Sequence, residues 1–272
     1  EQIEITANTS EVIQNENTIT VTLDTEDTVV LTAPSAGTTL VGTYTVGAND
    51  NSSALTISSF TIGTVADTVG NVMTSTTLPA SSSIFGSKTI IIDTTAPTAA
   101  ITYAGSGGSP YKQNDEVTIT ATFTEALTTT PKIAISGVSS IAATNMSGSG
   151  TTWTYDYVAP AGNGTETVAL SVGTDAAGNT VTSAPTSGET FTVDNIAPTL
   201  TEVTAITNPG NDNTPSYVFT TNEAGTITSN LAFSTTTSAS TGSNQTITFN
   251  TLDDATYSGK TVTVTDTAGN AG

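Results

Sequence analysis

Acidic residues recur in this sequence at intervals that suggest repeated ligand sets. The stretch Asp175-Ala-Ala-Gly-Asn179 has the pattern Asp-x-x-Gly-Asn, and two more copies begin at Asp67 and Asp266. The three Asp residues are 175 − 67 = 108 and 266 − 175 = 91 positions apart. This interval is the size of a small β-sandwich domain and is too long for a solenoid repeat. The pattern therefore predicts three repeated units.

The composition limits the chemistry that these residues can perform. The chain has 24 acidic residues and four Lys, lacks Arg, His and Cys, and carries a net charge of −20. Without His or Cys there is no Ser-His-Asp or Cys-His nucleophile system and no thiolate metal site. Carboxylates remain as the strong ligands, and Ca²⁺ is their natural partner. A polyanion without clustered basic residues is not expected to bind nucleic acid or anionic lipid.

Apolar residues alternate with polar ones in many short runs, which predicts an all-β protein. The predicted strands are 1–6, one starting at 12, 19–23, 29–31, 40–46, 55–62 and 88–92, then 98–103, 116–123, 132–136, 151–158, 166–172 and 189–194, and finally 200–206, 216–221, 226–229, 245–250 and 260–265. Trp153, Tyr155 and Tyr157 share one face of a strand, and we interpret them as core rather than as a ligand platform.

Two similar Pro-containing segments divide the chain into three predicted domains. The segments Asp93-Thr-Thr-Ala-Pro97-Thr and Asp194-Asn-Ile-Ala-Pro198-Thr are 194 − 93 = 101 positions apart. We name the predicted domains the first region (residues 1–95), the second region (96–195) and the third region (196–272). Short Pro-containing linkers restrict rotation and predict a semi-rigid rod.

These junctions, the sequence Phe-Thr-Glu-Ala-Leu at 123–127 and the three Asp-x-x-Gly-Asn loops resemble the bacterial immunoglobulin-like tandem repeats of large extracellular adhesins and biofilm proteins. The resemblance is clearest over residues 93–272. It implies three tandem immunoglobulin-like antiparallel β-sandwiches that are non-catalytic, extracellular and often stiffened by Ca²⁺ at their junctions.

The predicted sandwich topology brings distant acids together. The loop between the second and third strands and the loop before the last strand lie at the end where the chain enters the domain. The predicted ligand sets are Asp93, Glu125 and Asp175 at the first junction, and Asp194, Glu223 and Asp266 at the second. Glu125 and Glu223 are 98 positions apart, close to the junction spacing, so the sets correspond. Three carboxylates in one place would repel each other unless a cation such as Ca²⁺ neutralised them.

The alternative interpretation is a simple turn with solvated acids, in which Gly178 supplies a positive φ and Asn179 bonds to the turn. For the first region the predicted ligand is Asp67, together with Glu26 or Asp27, but Thr6 stands where a junction Asp would be expected.

The predicted third domain lacks its last strand. In the first two units the segment from the loop Asn to the next junction Asp spans 93 − 71 = 22 and 194 − 179 = 15 residues, whereas two residues follow Asn270. Residues 1–8 match the missing strand, because Ile3 and Ile5 correspond to Phe191 and Val193 in spacing. Two explanations stay open: donation of this strand to the next subunit of a filament, or a window of a longer repetitive adhesin.

The predicted function is a non-catalytic structural module of a prokaryotic cell-surface fibre or adhesin stalk. Its predicted partners are copies of itself or neighbouring repeats, and a host or matrix surface, without membrane insertion. A carbohydrate- or protein-binding tip domain using Trp153 or the loop 208–215 is the competing binding function. A glycosidase using Glu125 and Asp175 is the competing enzyme.

Overall fold

The structure is a computed structural model that describes residues 1–80, 85, 88–105, 108–235 and 237–272. The described residues form antiparallel β-sheets and contain no α-helix, so the predicted all-β class is confirmed. No helix among them has the length and apolarity needed to cross a membrane. The chain divides into two compact units: unit 1 comprises residues 1–96 and 176–179, and unit 2 comprises 97–175 and 180–272.

The described part of unit 1 forms a five-stranded sheet. Its strands are β1 (Gln2–Ile13), β2 (Thr18–Leu23), β3 (Thr28–Thr32), β4 (Gly37–Thr45) and β5 (Ile57–Ile62). They are arranged in the order β1-β4-β3-β2-β5, and all neighbours are antiparallel. In β2 the residues Ile19, Val21 and Leu23 are buried while the Thr residues between them are less so, as expected for a strand with one face on a core.

The second region contributes seven strands to unit 2. They are β6 (Ala99–Gly105), β7 (Glu116–Leu127), β8 (Lys132–Ser136), β9 (Ser140–Asn145), β10 (Ser147–Val158), β11 (Gly164–Ser171) and β12 (Thr190–Val193). They form one sheet of order β10-β7-β6 and another of order β12-β11-β8-β9.

The third region repeats this order. Its strands are β13 (Leu200–Thr204), β14 (Ser216–Thr221), β15 (Gly225–Ser229), β16 (Ser238–Ala239), β17 (Gln245–Thr248) and β18 (Val262–Thr265). The sheets β13-β14-β17 and β16-β15-β18 correspond to β6-β7-β10 and β9-β8-β11 of the second region. Among the described residues of the third region, no strand corresponds to β12.

Each region has its own hydrophobic cluster. One cluster lies within residues 5–92, another within 99–193 and another within 219–264. In the second cluster the ring of Phe191 lies 4.8 Å from that of Tyr103 and 5.4 Å from that of Tyr157. Each such aromatic pair contributes about 0.5–1.5 kcal/mol beyond its buried area, so β12 is firmly attached to this core.

Several strand predictions were wrong in detail. The strand predicted at 88–92 is absent from the described part of that segment, where Ile92 forms only an isolated bridge with Ser52. The separate strand predicted from Val12 is the end of β1, which continues through a register shift after Asn8. The strands β9 and β16 were not predicted. The strand order of the first region also differs from that of the other two, although all three carry the Asp-x-x-Gly-Asn loop.

Candidate metal centre

Three carboxylates from separate segments meet at the boundary between the second and third regions. One carboxylate oxygen from each of Asp194, Glu223 and Asp266 lies within 4.8 Å of the other two, and all three side chains are half-buried. The members of this group, which we call the junction site, follow three different strands: β12, β14 and β18. The sequence predicted this set of residues, and the structure brings it together.

Asp194 is held in place by one backbone hydrogen bond and one side-chain hydrogen bond. Its N–H donates to the carbonyl oxygen of Tyr111 at 2.8 Å, and its Oδ1 accepts the N–H of Ile196 at 3.0 Å. The next residue, Asn195, is held by the loop before β11, because Asn163 Oδ1 accepts its N–H and its side-chain amide donates to the Pro160 carbonyl. The linker is therefore anchored to the second region.

Glu223 is placed by the end of β14. The buried Thr221 hydroxyl donates to the Glu223 carbonyl at 2.9 Å and accepts the Glu223 N–H at 3.3 Å. Asn222 accepts the N–H of Thr199 and donates its own N–H to the Thr199 carbonyl at 3.3 Å. These bonds join the turn that carries Glu223 to the linker after Pro198.

The Asp266–Asn270 loop is closed by its own side chains. Asp266 Oδ1 accepts the Asn270 N–H, and Oδ2 accepts the Asn270 side-chain amide, both at 2.9 Å. Gly269 has φ +86°, which an L side chain rarely adopts, so the predicted role of the loop glycine is confirmed at this position. The Asn270 amide also donates to the Asp194 carbonyl at 3.0 Å and so connects the loop to the linker.

The electrostatics of the junction site favour a cation. Burial raises the pKa of the Glu223 carboxyl, the nearby Asp194 and Asp266 carboxylates raise it further, and the hydrogen bond from Asn222 opposes them. Calcium binds oxygen ligands at about 2.3–2.6 Å, so two oxygens on one ion are up to about 5 Å apart. The 4.8 Å limit on the three oxygens is compatible with one shared Ca²⁺.

The other predicted ligand set is divided between the two units. Asp93 lies in unit 1, whereas Glu125 and Asp175 lie in unit 2, where their carboxylates approach within 4.8 Å of each other. Asp93 Oδ1 accepts the Thr95 N–H at 3.0 Å, and its carbonyl accepts the Asn179 amide at 3.1 Å. Asp194 makes the corresponding bonds with Ile196 and Asn270, so the two Asp residues share the same local geometry.

Asp67 is engaged within its own loop. Its Oδ1 accepts the N–H groups of Val69 and Asn71, and its Oδ2 accepts the Asn71 side-chain amide at 2.7 Å. The hydrogen bond from the Asn71 side chain, together with the backbone donors, holds the Asp67 pKa below its usual value. In the described part of the chain Asp67 belongs to no group of three acids, whether with Glu26, Asp27 or others.

Sequence reasoning missed two residues that make contacts of note in the structure. Lys112 contacts the Asp266–Asn270 loop through its ammonium group, a contact across 157 positions that no pattern indicates. Glu166 is fully buried on β11. It alternates with a period of two with Val168 and Leu170, and this spacing was the signal that its side chain points inward. Trp153 is 7% exposed and packs in the core, as predicted, so its ring is not a surface platform for a ligand.

We expect Asn270→Ala to destabilise the third region by about 1–2 kcal/mol, because it removes one side-chain donor from both Asp266 and Asp194. Asn71→Ala is the matched control, since Asn71 closes the equivalent loop of the first region and its side-chain amide donates to Asp67. Urea denaturation of both variants measures the difference. Equal losses would mean that the Asn270 bond to Asp194 contributes nothing.

In comparisons with known proteins, no family model and no curated protein matches this chain. What the chain does is therefore inferred from its own geometry: repeated antiparallel sheets and a group of carboxylates at the boundary between two of them.

Proposed function

We propose that this chain is a non-catalytic structural module of an extracellular fibre or adhesin stalk on a prokaryotic cell surface. In this proposal its three regions are tandem immunoglobulin-like β-sandwiches. The observation that carries it is the junction site, whose three acids come from distant segments and meet where two regions of the same strand order adjoin. Equivalent sheets joined at an ion site suit an array that must resist bending.

In the proposed function a Ca²⁺ ion is held by Asp194, Glu223 and Asp266, and it stiffens the joint between the second and third regions. The ion would offset the repulsion among three carboxylates and would hold the linker, β14 and β18 together. The set of Asp93, Glu125 and Asp175 and the single residue Asp67 stay predictions from the sequence. Local bonds at Asp93 that match those at Asp194 support the first of these.

We propose that its partners are copies of itself or neighbouring repeats of the same array. The strand β11 pairs with both β8 and β12, whereas its counterpart β18 pairs with β15 as its only strand neighbour among the described residues. Val264 of β18 exchanges two backbone hydrogen bonds with Gly272, and a strand added beside the rest of this edge would complete the order found in the second region. The segment 1–8 is one source of that strand, and an adjacent repeat is the other.

The pairing of β1 favours the adjacent repeat. Gln2–Asn8 pairs with β4 in its own sheet, and Ile5 is 2% exposed in the core of the first region. Donation to another subunit would require these bonds to break and the apolar surface of Ile5 to leave that core. Residues of a neighbouring repeat can add to β18 without this loss.

We expect deletion of residues 1–8 to lower the stability of the first region without changing the assembly state.

Ile5→Ala should lower the free energy of unfolding by about 2–5 kcal/mol because it leaves a cavity, whereas Glu4→Ala on the exposed face should be nearly neutral. Calorimetry measures stability, and size-exclusion chromatography with light scattering measures assembly. Filaments of the intact chain that disappear on deletion of residues 1–8 would instead establish N-terminal strand donation.

Negative-stain electron microscopy tests the structural function as a whole. We expect particles of uniform length in millimolar Ca²⁺ and a slightly wider range of lengths after chelation, because the ion adds to the hydrogen bonds that already restrain bending at the junction. Glu202→Gln, which removes an exposed carboxylate of β13 outside the junction site, should behave as the unaltered chain. Hydrolysis of a polysaccharide substrate, abolished by Glu125→Gln, would overturn the proposal in favour of an enzyme.

A further inference from the structure

Lys112 begins a tight turn that is anchored beside Asp194. The preceding residue, Tyr111, is 1% exposed and lies in the core of the second region. Its N–H donates to the Thr192 carbonyl at 2.9 Å, and its carbonyl accepts the N–H of Asp194 at 2.8 Å. The backbone directly before Lys112 is therefore fixed to β12, the strand that leads into the junction.

The turn itself is closed by hydrogen bonds between Lys112 and Asp115. The Lys112 N–H donates to Asp115 Oδ2 at 2.9 Å, and the Asp115 N–H donates to the Lys112 carbonyl at 3.0 Å. The following residue, Gln113, donates its N–H to the side chain of Asn195 in the linker. A side chain that leaves such a turn starts from a defined position, so less conformational entropy is lost when it binds a partner.

The ammonium group of Lys112 reaches the third region. Its Nζ donates to the carbonyl oxygen of Gly269 at 3.1 Å, inside the Asp266–Asn270 loop. The approach is close, since a Cβ on residue 269 would lie 3.0 Å from Nζ. The next residue, Asn270, donates to the Asp194 carbonyl, so the loop is held to the second region at two adjacent points.

The charge of Lys112 suits this position. It is one of four cationic side chains in a chain of net charge −20, and it contacts the loop that carries one of three clustered carboxylates. A hydrogen bond from an ionised donor is roughly twice as strong as a neutral one.

We infer that Lys112 is a positioning residue that holds the third region in a fixed orientation on the second region when no metal is bound. The contacts that carry this role are the Nζ bond to Gly269 and the anchoring of Tyr111 to Asp194. The role goes beyond the proposed calcium function and does not depend on it. The joint is oriented by Lys112 and by the Asn270 bond, and a cation at the junction site adds to that restraint.

Distance measurements between two spin labels test this role. The chain has no Cys, so Thr152→Cys on β10 and Thr228→Cys on β15 place labels at exposed strand positions in the second and third regions. Measurements are made on the full chain in excess chelator. We expect a narrow distance distribution in the labelled parent, and a broader distribution with a shifted mean after Lys112→Ala.

Two further variants control for charge and folding. Lys260→Ala removes an exposed positive charge from the third region and should leave the distribution narrow. Lys112→Arg keeps a cationic donor, so its distance distribution should be nearly as narrow as that of the labelled parent. Trp153 fluorescence checks that each variant is folded in the second region. A distribution for Lys112→Ala as narrow as that of Lys260→Ala would overturn the positioning role.

Adding Ca²⁺ separates this inference from the calcium proposal. If Lys112→Ala broadens the distribution in chelator while Ca²⁺ changes none of the samples, the Lys112 contact stands and the calcium site fails. If Ca²⁺ narrows the distribution but Lys112→Ala has no effect in chelator, the calcium site stands and the role of Lys112 is rejected.

Discussion

Millimolar Ca²⁺ is expected to raise the melting temperature of the third region, and Glu223→Gln should lose most of that gain. A ligand that binds only the folded form at 100 times its dissociation constant stabilises it by about 2.7 kcal/mol. For a region of this size the shift is on the order of 10 °C or more if it unfolds as its own unit. The ion is expected to bind only the folded form, because the junction site consists of three segments that separate on unfolding.

The same variant should have the opposite effect in chelator. Glu223 lies close to Asp194 and Asp266, so replacing its carboxylate removes repulsion, and the melting temperature should stay unchanged or rise. Glu202→Gln makes the same charge change at an exposed position of β13 and should leave the melting temperature unchanged both with Ca²⁺ and with chelator. Scanning calorimetry of the three chains with Ca²⁺ and with chelator gives the comparison. Identical melting temperatures in both conditions would eliminate the metal site.

The pH dependence follows from the raised pKa of Glu223. Because burial and the neighbouring carboxylates place this pKa above the ordinary value of 4.5, the folded form binds the proton more tightly than the unfolded form. In chelator, the stability that this proton contributes is complete below pH 4.5 and is lost as the pH rises through the folded pKa. Ca²⁺ competes with the same proton, so its affinity should fall as the pH is lowered into this range.

Glu166→Ala is expected to cause a large loss of stability in the second region, about 3 kcal/mol or more. Glu166 is fully buried, and its Oε1 accepts the Tyr157 hydroxyl at 2.7 Å and the Ser139 N–H at 2.8 Å. Burial holds the pKa of the Tyr157 hydroxyl well above its usual range, so the hydroxyl remains a donor at neutral pH. Truncation leaves these donors without their acceptor, at about 1–3 kcal/mol each, and adds a cavity.

A second variant separates the hydrogen bonds from the charge. Glu166→Gln keeps an acceptor oxygen for Tyr157 and Ser139, so it should be less destabilising than Glu166→Ala. Glu189→Ala, which truncates an exposed Glu of the same region, is the control. Urea unfolding followed by the fluorescence of Trp153, the single Trp of the chain, reports on this core directly. A midpoint for Glu166→Ala equal to that of Glu189→Ala would refute the structural role of this network.

Local chemistry in the sequence was sufficient for many of the strands and for the Asp-x-x-Gly-Asn loops. The predicted bounds of β8 and β14 agree with the structure because the alternation of apolar residues is strict there. The three Asp-x-x-Gly-Asn segments form turns with a positive φ at Gly70, Gly178 and Gly269, a property of glycine itself. The grouping of Asp194, Glu223 and Asp266 was also predictable, since it follows from strand order and loop position.

Other features depend on contacts between distant residues and could not be read from the sequence. Strand β1 pairs with β4 of its own sheet. The apolar spacing of β1 would suit another sheet equally well, because a period of two defines which face of a strand is buried and does not define the neighbouring strand. Lys112 reaches Gly269 through the packing of two regions, and neither residue has a sequence signal for it. The residue types thus determine which groups can hold an ion, whereas folding determines which of them meet and what orients them.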